Sequence, residues 1–85
     1  MAGAIYSDAQ LAVSKAFAEV RRAAGIHQAD LARRIGKHQS YISDIERGQR
    51  RIDVLELFVI ARALGLAPTD LYARLIRDVP ENVPV

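Results

Sequence analysis

The chain has 85 residues, of which 51% are hydrophobic and 26% are charged. This composition favours one folded domain with a modest core and argues against a disordered chain. The absence of cysteine excludes disulfides and thiolate metal sites, whereas the net charge of +2 excludes nothing until the charges are located.

Positive charge is concentrated in the middle of the chain. Positions 33 to 51 hold six basic residues against two acidic ones, a local balance of +4, while the remaining positions together carry −2. Such a window suits a polyanionic partner, with a solvated basic face as the alternative. The basic residues are Arg33, Arg34, Lys37, Arg47, Arg50 and Arg51.

The sequence has no candidate membrane segment. Its most apolar stretch, residues 54–67, is interrupted by Glu56 and Arg62 and is shorter than the ~20 residues of a membrane-spanning helix. The first eight residues have neither the basic start nor the apolar run of a signal peptide. We therefore expect a cytoplasmic protein with no membrane partner.

Glycine residues divide the chain into helical segments. The first helix is predicted from residue 7 or 8 to Ala24 and ends at Gly25, the second covers residues 28–35 before Gly36, and the third covers residues 39–47 before Gly48. The residues predicted to face the core are Leu11, Phe17, Val20 and Ala24, then Leu31, Ala32 and Ile35, then Ile42 and Ile45.

Two further helices are predicted in the second half. Asp53, with Glu56 three residues later, forms a variant capping box that opens the fourth helix, which ends at Gly65. The fifth begins at 67–68, where proline suits the first helical turn, and ends before Pro80. The predicted core residues are Val54, Leu57, Ala61 and Leu64 with Phe58 and Ile60 at their flanks, then Leu71, Leu75 and Ile76.

These elements predict an all-α fold, a compact bundle of five short helices. One domain is expected over residues 7–79, and residues 80–85 are expected to form a frayed tail. No alternating strand pattern and no internal repeat is present.

The segment from Gln28 to Gly48 carries the functional prediction. Two short helices joined by a short turn must cross steeply, and Ala32 is small enough to allow a close approach. Gly36 can adopt the left-handed backbone conformation that begins such a turn. With Leu31, Ile35, Ile42 and Ile45 as a shared core, this pattern indicates a helix-turn-helix.

From about Phe17 to Leu75 the chain resembles the lambda-repressor-like, Cro/C1-type (XRE family) helix-turn-helix DNA-binding proteins. The resemblance is carried by QADLARRIG at 28–36, ISDIERG at 42–48 and ARALG at 61–65. It implies that the helix beginning at Gln39 enters the major groove of double-stranded DNA and that Gln28 contacts a phosphate. It also implies a largely buried ion pair between Arg21 and Glu46, and base contacts from Gln39, Ser40, Ser43 and Asp44.

The side chains of the third predicted helix suit base recognition. A glutamine at the exposed start of a helix can pair with adenine through two hydrogen bonds, and Ser40 can serve more than one base. Tyr41 can pack on a thymine methyl or a sugar. Asp44 can accept from cytosine, but it also repels phosphate. The alternative for Gln39 and Asp44 is a solvated helix face.

Phosphate contacts are predicted around this helix, from Lys37 and His38 in the turn and from Arg47, Arg50 and Arg51 in the following loop. Loss of Arg50 alone is expected to reduce the salt slope of binding by ~1 without changing site preference. Two features depart from the family: Lys37 stands where relatives have an apolar residue, and His27 and His38 stand where relatives have Ser or Thr caps.

A dimer interface is predicted on the last two helices, where an exposed apolar patch is expected from Leu55, Val59, Tyr72, Ile76 and Val79. A two-fold homodimer would place two DNA-reading helices about 34 Å apart, matching a near-palindromic operator. The alternative is that the first helix covers this surface within one chain, through Ile5, Tyr6 and Leu11.

The sequence therefore predicts a sequence-specific transcriptional regulator, with repression as the expected outcome. The alternative function is a protein-interaction adaptor or antitoxin-type protein, with a partner such as a toxin and with DNA binding secondary. An enzyme, a cofactor and a metal site are not predicted. Two histidines eleven residues apart make no convincing metal site, and there is no glycine-rich phosphate loop or nucleophile motif.

Overall fold

The computed structural model describes residues 7–83. This part of the chain forms five helices and no strand: α1 (Asp8–Ala23), α2 (Gln28–Arg34), α3 (Gln39–Glu46), α4 (Val54–Leu64) and α5 (Pro68–Ile76). The predicted all-α fold of five short helices is confirmed, and the ends of the first four helices agree with the prediction to within one residue.

Four of the five helices begin in two different ways. At α1 the Ser7 hydroxyl accepts a hydrogen bond from Gln10 N at 3.1 Å, and at α4 Asp53 and Glu56 form a complete capping box, with bonds of 2.7 and 2.9 Å. At α2 and α3 the capping positions are His27 and His38, whose side chains make no cap hydrogen bond. The first backbone N–H groups of these two helices therefore lack a side-chain cap.

The turn between α2 and α3 is closed by backbone hydrogen bonds around Gly36. Lys37 N donates to Ala32 O at 2.8 Å and Gly36 N donates to Arg33 O at 3.2 Å, which is the Schellman arrangement. Gly36 has φ +73°, and apart from the adjacent residues no atom lies within 4 Å of the position that a Cβ would take. The backbone angle, and not lack of space, therefore favours glycine here.

The core receives large, fully buried side chains from all five helices. α2 packs against α3, α1 against α3 and α5, and α4 against α2 and α5. α3 contributes two isoleucines to this core, so its orientation is fixed by apolar packing on its inner side. The fully buried large apolar residues are Phe17, Leu31, Ile42, Ile45, Ile60 and Leu71.

The prediction that Leu11 and Ala24 face the core is wrong. Leu11 is 46% exposed and Ala24 is exposed beyond the last residue of α1. Six residues separate Leu11 from Phe17, and at 100° per residue this places them about 120° apart around the helix. Gln10 and Ser14 occupy the buried side instead, where the Gln10 amide donates to the Ser14 hydroxyl at 3.2 Å.

On α4 the predicted core stripe is also partly wrong. Ile60, Ala61 and Leu64 are buried and Leu57 is partly buried, but Val54 is 79% exposed and Phe58 is half exposed. On α5, Leu71 and Leu75 are buried whereas Ile76 is 41% exposed. The exposed residues of α4 recur at spacings of one, four and five, so they share one side of the helix. We call this side the α4 apolar face: Val54, Leu55, Phe58 and Val59.

Candidate nucleic-acid interface

The first turn of α3 presents two of the predicted base-contacting residues to solvent. Gln39 and Ser40 are exposed, whereas Tyr41, Ser43 and Asp44 are partly buried. Because Ile42 and Ile45 lie on the inner side of the same helix, the outer side can carry polar residues without loss of core. The geometry of each polar group then decides what it can bind.

Gln39 is held by a chain of polar groups that leads into the core. The Gln39 amide nitrogen donates to Gln28 Oε1 at 3.1 Å, and the Gln28 amide nitrogen donates to Glu46 Oε1 at 2.9 Å. Glu46 in turn is paired with Arg21. The four residues come from α1, α2 and α3, and we refer to them as the polar chain.

The Arg21–Glu46 pair closes the polar chain at its inner end. Arg21 Nε donates to Glu46 Oε2 at 2.5 Å and Arg21 Nη2 donates to Oε1 at 3.0 Å, so the pair is bidentate. Both side chains are nearly inaccessible, at 8% and 6% exposure. Arg21 Nη1 also donates to Ile26 O at 2.7 Å. The buried pair that the family resemblance implied is therefore present, and its charges have the hydrogen-bond partners that burial demands.

The hydrogen bond to Gln28 leaves Gln39 suited to adenine. A glutamine amide has two N–H donors and one carbonyl oxygen, and Gln39 uses one N–H on Gln28. The other N–H and the oxygen can pair with adenine N7 and N6 in the major groove. Gln28 is predicted to contact a phosphate, and its second N–H is the group that could do so.

Ser43 and Asp44 both have local partners. The Ser43 hydroxyl donates to Ser40 O at 3.3 Å, so it can meet a base only as an acceptor in this position. Asp44 pairs with Arg47 one turn later, at 2.5 Å between Oδ1 and Nη2. A contact from Asp44 to cytosine would compete with Arg47, and a contact from Arg47 to phosphate would compete with Asp44.

The predicted phosphate-binding cations differ in their exposure and in whether an acidic side chain already binds them. Lys37, His38 and Arg51 are exposed, and Arg47 is 65% exposed beside Asp44. Arg50 is only partly exposed and its Nη2 donates to Glu56 Oε2. The remaining basic residues of the central window, Arg33 and Arg34, both pair with Asp30 on their own helix, and Arg34 also donates to Ala63 O at 3.1 Å.

Tyr41 lies among charged groups and does not stand free for a base. Arg50 Cζ is 4.5 Å and Lys37 Nζ is 5.2 Å from the centroid of its ring, both within the range of cation–π attraction. Burial, and next a hydrogen bond to Glu56, raise the pKa of the Tyr41 hydroxyl to about 12. The hydroxyl therefore stays protonated at neutral pH and remains a donor.

Glu56 is the acidic residue of a cluster that also contains Tyr41 and Arg50. Burial by itself would raise the pKa of the Glu56 carboxyl, but hydrogen bonds from Asp53 N, Tyr41 and Arg50 together lower it below its usual value. The same carboxylate completes the capping box of α4. Glu56 therefore joins the cluster to the first turn of α4 while it is ionised.

The residues predicted for the dimer interface are divided between two clefts. Leu55 and Val59 border a cleft of about 180 Å³ beside Ile35, Lys37 and Tyr41. Tyr72, Ile76 and Val79 line a groove of about 250 Å³ against the first turns of α1. Ile5 and Tyr6, which the alternative prediction placed over this surface, lie outside the described residues, and Leu11 is exposed. The α4 apolar face adds Val54 and Phe58, with the Arg62 guanidinium 5.7 Å from the Phe58 ring.

Sequence reasoning missed two acidic residues that control the basic window. Asp30 stands three residues before Arg33 and four residues before Arg34. This spacing predicts ion pairs within a helix, so both pairs of Asp30 could have been predicted from the sequence. Glu56 lies six residues from Arg50, on the far side of a loop. No local spacing rule predicts that contact, because the loop conformation decides it.

No helix within residues 7–83 is long and apolar enough to cross a membrane. Within the same range, no three histidine, cysteine or acidic side chains are grouped so that they could hold a metal ion.

Known proteins share this sequence pattern and this fold. The family described as helix-turn-helix matches residues 17–71. The chain is 38% identical over 64 residues to the uncharacterized HTH-type transcriptional regulator y4dJ of Sinorhizobium fredii, which covers 75% of this chain and 83% of that protein.

Two solved structures are similar along most of their length. An XRE-family like protein from Pseudomonas syringae pv. tomato superimposes with a TM-score of 0.71 and 38% identity, covering 85% of this chain and 88% of that one. The restriction-modification controller protein C.AhdI from Aeromonas hydrophila gives a TM-score of 0.68 and 32% identity, covering 73% of this chain and 90% of that one.

Proposed function

Since this chain is a DNA-binding transcriptional regulator of the Cro/C1-type (XRE) helix-turn-helix family, we propose that it binds a specific double-stranded operator as a homodimer. α3 is the recognition helix in the major groove, and Gln39 and Ser40 contact base edges. The expected outcome of operator binding is repression, in the cytoplasm and without catalysis.

The observation that carries this proposal is the hydrogen bond from Gln39 to Gln28 at 3.1 Å. A glutamine side chain loses much rotamer freedom when it binds, which weakens recognition. The polar chain orients the Gln39 amide before DNA arrives and leaves one donor and one acceptor for adenine. Each good bidentate contact of this kind contributes roughly 1–3 kcal/mol of discrimination against the wrong base.

The phosphate contacts of this proposal come from exposed cations. Lys37, Arg47 and Arg51 supply them, with Arg47 leaving Asp44 for a phosphate oxygen. Three neutralised phosphates per protomer give a slope of log K against log salt of about −2.7, and a dimer doubles it. Asp44 then acts as a competitor that keeps Arg47 from binding any DNA indiscriminately, and this role is favoured by their pairing at 2.5 Å.

The homodimer is supported by the α4 apolar face. Val54 and Leu55 are 79% and 77% exposed, and soluble monomers seldom leave contiguous large side chains of this kind uncovered. An isologous contact through this face makes the operator near-palindromic. C.AhdI is a restriction-modification controller protein, and we propose a regulator of comparable kind here.

A second function is favoured by the same face. If it binds another protein, such as a toxin, in place of a second copy, the chain is an adaptor or antitoxin whose DNA binding is secondary. The two functions differ in what the purified chain does alone, because only the regulator needs no other protein to select a DNA sequence.

Selection of bound duplexes from a random pool tests the proposal. The wild-type chain should enrich a two-fold site with half-sites about one helical turn apart. Gln39→Ala should lose preference for one base pair per half-site, by about 1–3 kcal/mol, with an unchanged salt slope. If no sequence is enriched and the chain is a monomer in solution, the regulator function is contradicted and the adaptor function is favoured.

A further inference from the structure

The guanidinium of Arg50 has partners from two different helices. Its Cζ lies 4.5 Å from the ring centroid of Tyr41 on α3, and its Nη2 donates to Glu56 Oε2 on α4. The Tyr41 hydroxyl is also close enough to Glu56 and Arg50 for both groups to shift its pKa. The three side chains therefore form one closed cluster, which we call the Arg50 cluster.

The Arg50 cluster bridges two helices that otherwise belong to different parts of the bundle. α3 packs against α1 and α2, whereas α4 packs against α2 and α5. The loop of residues 47–53 connects them, and Arg50 stands in its middle. A side chain that ties both helices from the loop limits how far that loop and Tyr41 can move.

Arg50 differs from the neighbouring Arg51 in its exposure and in its partners. Arg51 is exposed and has no polar partner within residues 7–83. Arg50 is stacked, ion-paired and partly buried, and its Nε is buried without a hydrogen-bond partner. If Arg50 turned to a phosphate, the Glu56 carboxylate would lose a hydrogen-bond donor and the Tyr41 ring would lose its stacked guanidinium.

We propose that Arg50 is a positioning residue, which fixes Tyr41 and the α3–α4 loop through Glu56 and does not contact phosphate. This replaces the expectation that its loss lowers the salt slope. The neighbouring Arg47 and Arg51 keep their place as phosphate contacts, and the Arg50 cluster determines where the loop presents them. The affinity measurements below rest on the proposed function, DNA binding. The positioning role itself can be tested without DNA.

Arginine and lysine separate the two roles of position 50. A phosphate contact needs a positive charge, which lysine retains, whereas the cluster needs a planar group that stacks on a ring and binds a carboxylate at its edge. Arg50→Lys should therefore behave like Arg50→Gln if Arg50 is a positioning residue. It should behave like the wild type if Arg50 contacts phosphate.

The binding experiment measures affinity for the selected operator and for an unrelated duplex over a salt series, using Arg50→Lys, Arg50→Gln and the matched control Arg51→Gln. Both Arg50 variants should bind the operator about fivefold more weakly, with a lower operator-to-unrelated ratio and an unchanged salt slope. Arg51→Gln should lower the slope by about one and keep the ratio. A slope lowered by about one in Arg50→Gln, with a normal Arg50→Lys, would overturn the proposal.

A DNA-free measurement separates this inference from the proposed function. Amide exchange followed by NMR reports on the hydrogen bonds from Arg47 N to Ser43 O and from Gln49 N to Asp44 O, at 2.9 and 2.8 Å. Both amides should exchange about fivefold faster in each Arg50 variant and at the wild-type rate in Arg51→Gln. Unchanged exchange in Arg50→Lys contradicts the positioning role even if the chain binds DNA as proposed. Absent DNA binding with faster exchange contradicts only the proposed function.

Discussion

Four of the five helices form two pairs that differ at both ends. α1 and α4 start with side-chain caps, from Ser7 and Asp53, and the residues that close their C-terminal turns, Ile26 and Leu66, pack against the core. α2 and α3 start at histidines that make no cap hydrogen bond, and polar residues, Lys37 and Gln49, close their turns.

This difference separates scaffold from recognition surface. Caps and apolar closing contacts stabilise a helix by themselves, so α1 and α4 can frame the bundle. α2 and α3 depend on packing against that frame, and their polar ends stay available for a ligand. The pair that carries the predicted DNA contacts is therefore the pair with the weaker intrinsic ends.

The largest expected effect comes from cutting the buried link between the two pairs. Arg21 on α1 and Glu46 on α3 are bidentate and nearly inaccessible. Arg21→Met leaves the Glu46 carboxylate buried without its cation and should lower the free energy of unfolding by about 3–5 kcal/mol. Urea denaturation at one fixed protein concentration measures this loss.

The double variant Arg21→Met/Glu46→Leu serves as the control, because it removes both charges together. It should recover most of the stability that the single variant loses. If Arg21→Met lowers the free energy of unfolding by less than about 1 kcal/mol, the pair contributes no more than an ordinary surface ion pair. Apolar packing alone would then hold α3.

A smaller effect, of opposite sign in the two pairs, is expected from exchanging caps. His27→Ser gives α2 a hydroxyl that can accept from its first turn and should stabilise the protein by about 0.5–1 kcal/mol. Ser7→Ala removes the hydrogen bond to Gln10 N and should destabilise it by about 1 kcal/mol. Midpoints of urea unfolding compare both variants with the wild type, and a neutral His27→Ser would show that α2 needs no cap.

The smallest effect concerns the Arg50 cluster and depends on pH. Hydrogen bonds lower the pKa of the Glu56 carboxyl, so the ionised group contributes stability above its unfolded pKa of ~4.3 and loses it as pH falls through the lower folded value. Glu56→Gln keeps a capping-box residue but removes the charge and one of the two acceptor oxygens, the one that binds Arg50. It should cost less than about 1 kcal/mol at pH 7.

The difference between wild type and Glu56→Gln should shrink as the pH drops below ~4.3, since protonation removes the same charge from the wild type. Comparing the two proteins cancels the titration of the other carboxylates. A difference that stays constant from pH 7 down to acid conditions would mean that the ionised Glu56 contributes nothing.

Patterns along the sequence were sufficient to predict the helices and the helix-turn-helix. Glycine stops, the Asp53–Glu56 capping box and the spacing of Leu31, Ile42 and Ile45 are local signals, acting within a few residues. They predicted five helices and the turn at Gly36, where φ is +73°. Leu11 was placed wrongly because it lies about 120° from Phe17 around α1. Val54 is exposed although it lies near Ala61 around α4, because it is the first residue of that helix, at its end.

Only the tertiary structure decided which polar groups meet. Gln39 contacts Gln28 across 11 residues and Glu56 contacts Arg50 across a loop. The contact of Glu46 with Arg21 across 25 residues was expected, but from the family resemblance and not from any local spacing. Sequence rules for side-chain pairs reach only three or four residues along a helix, so these contacts follow from how the helices cross. The sequence by itself determined that a basic helix-turn-helix would form. Packing determined that Gln39 is oriented through Glu46 and that Arg50 is bound within the fold.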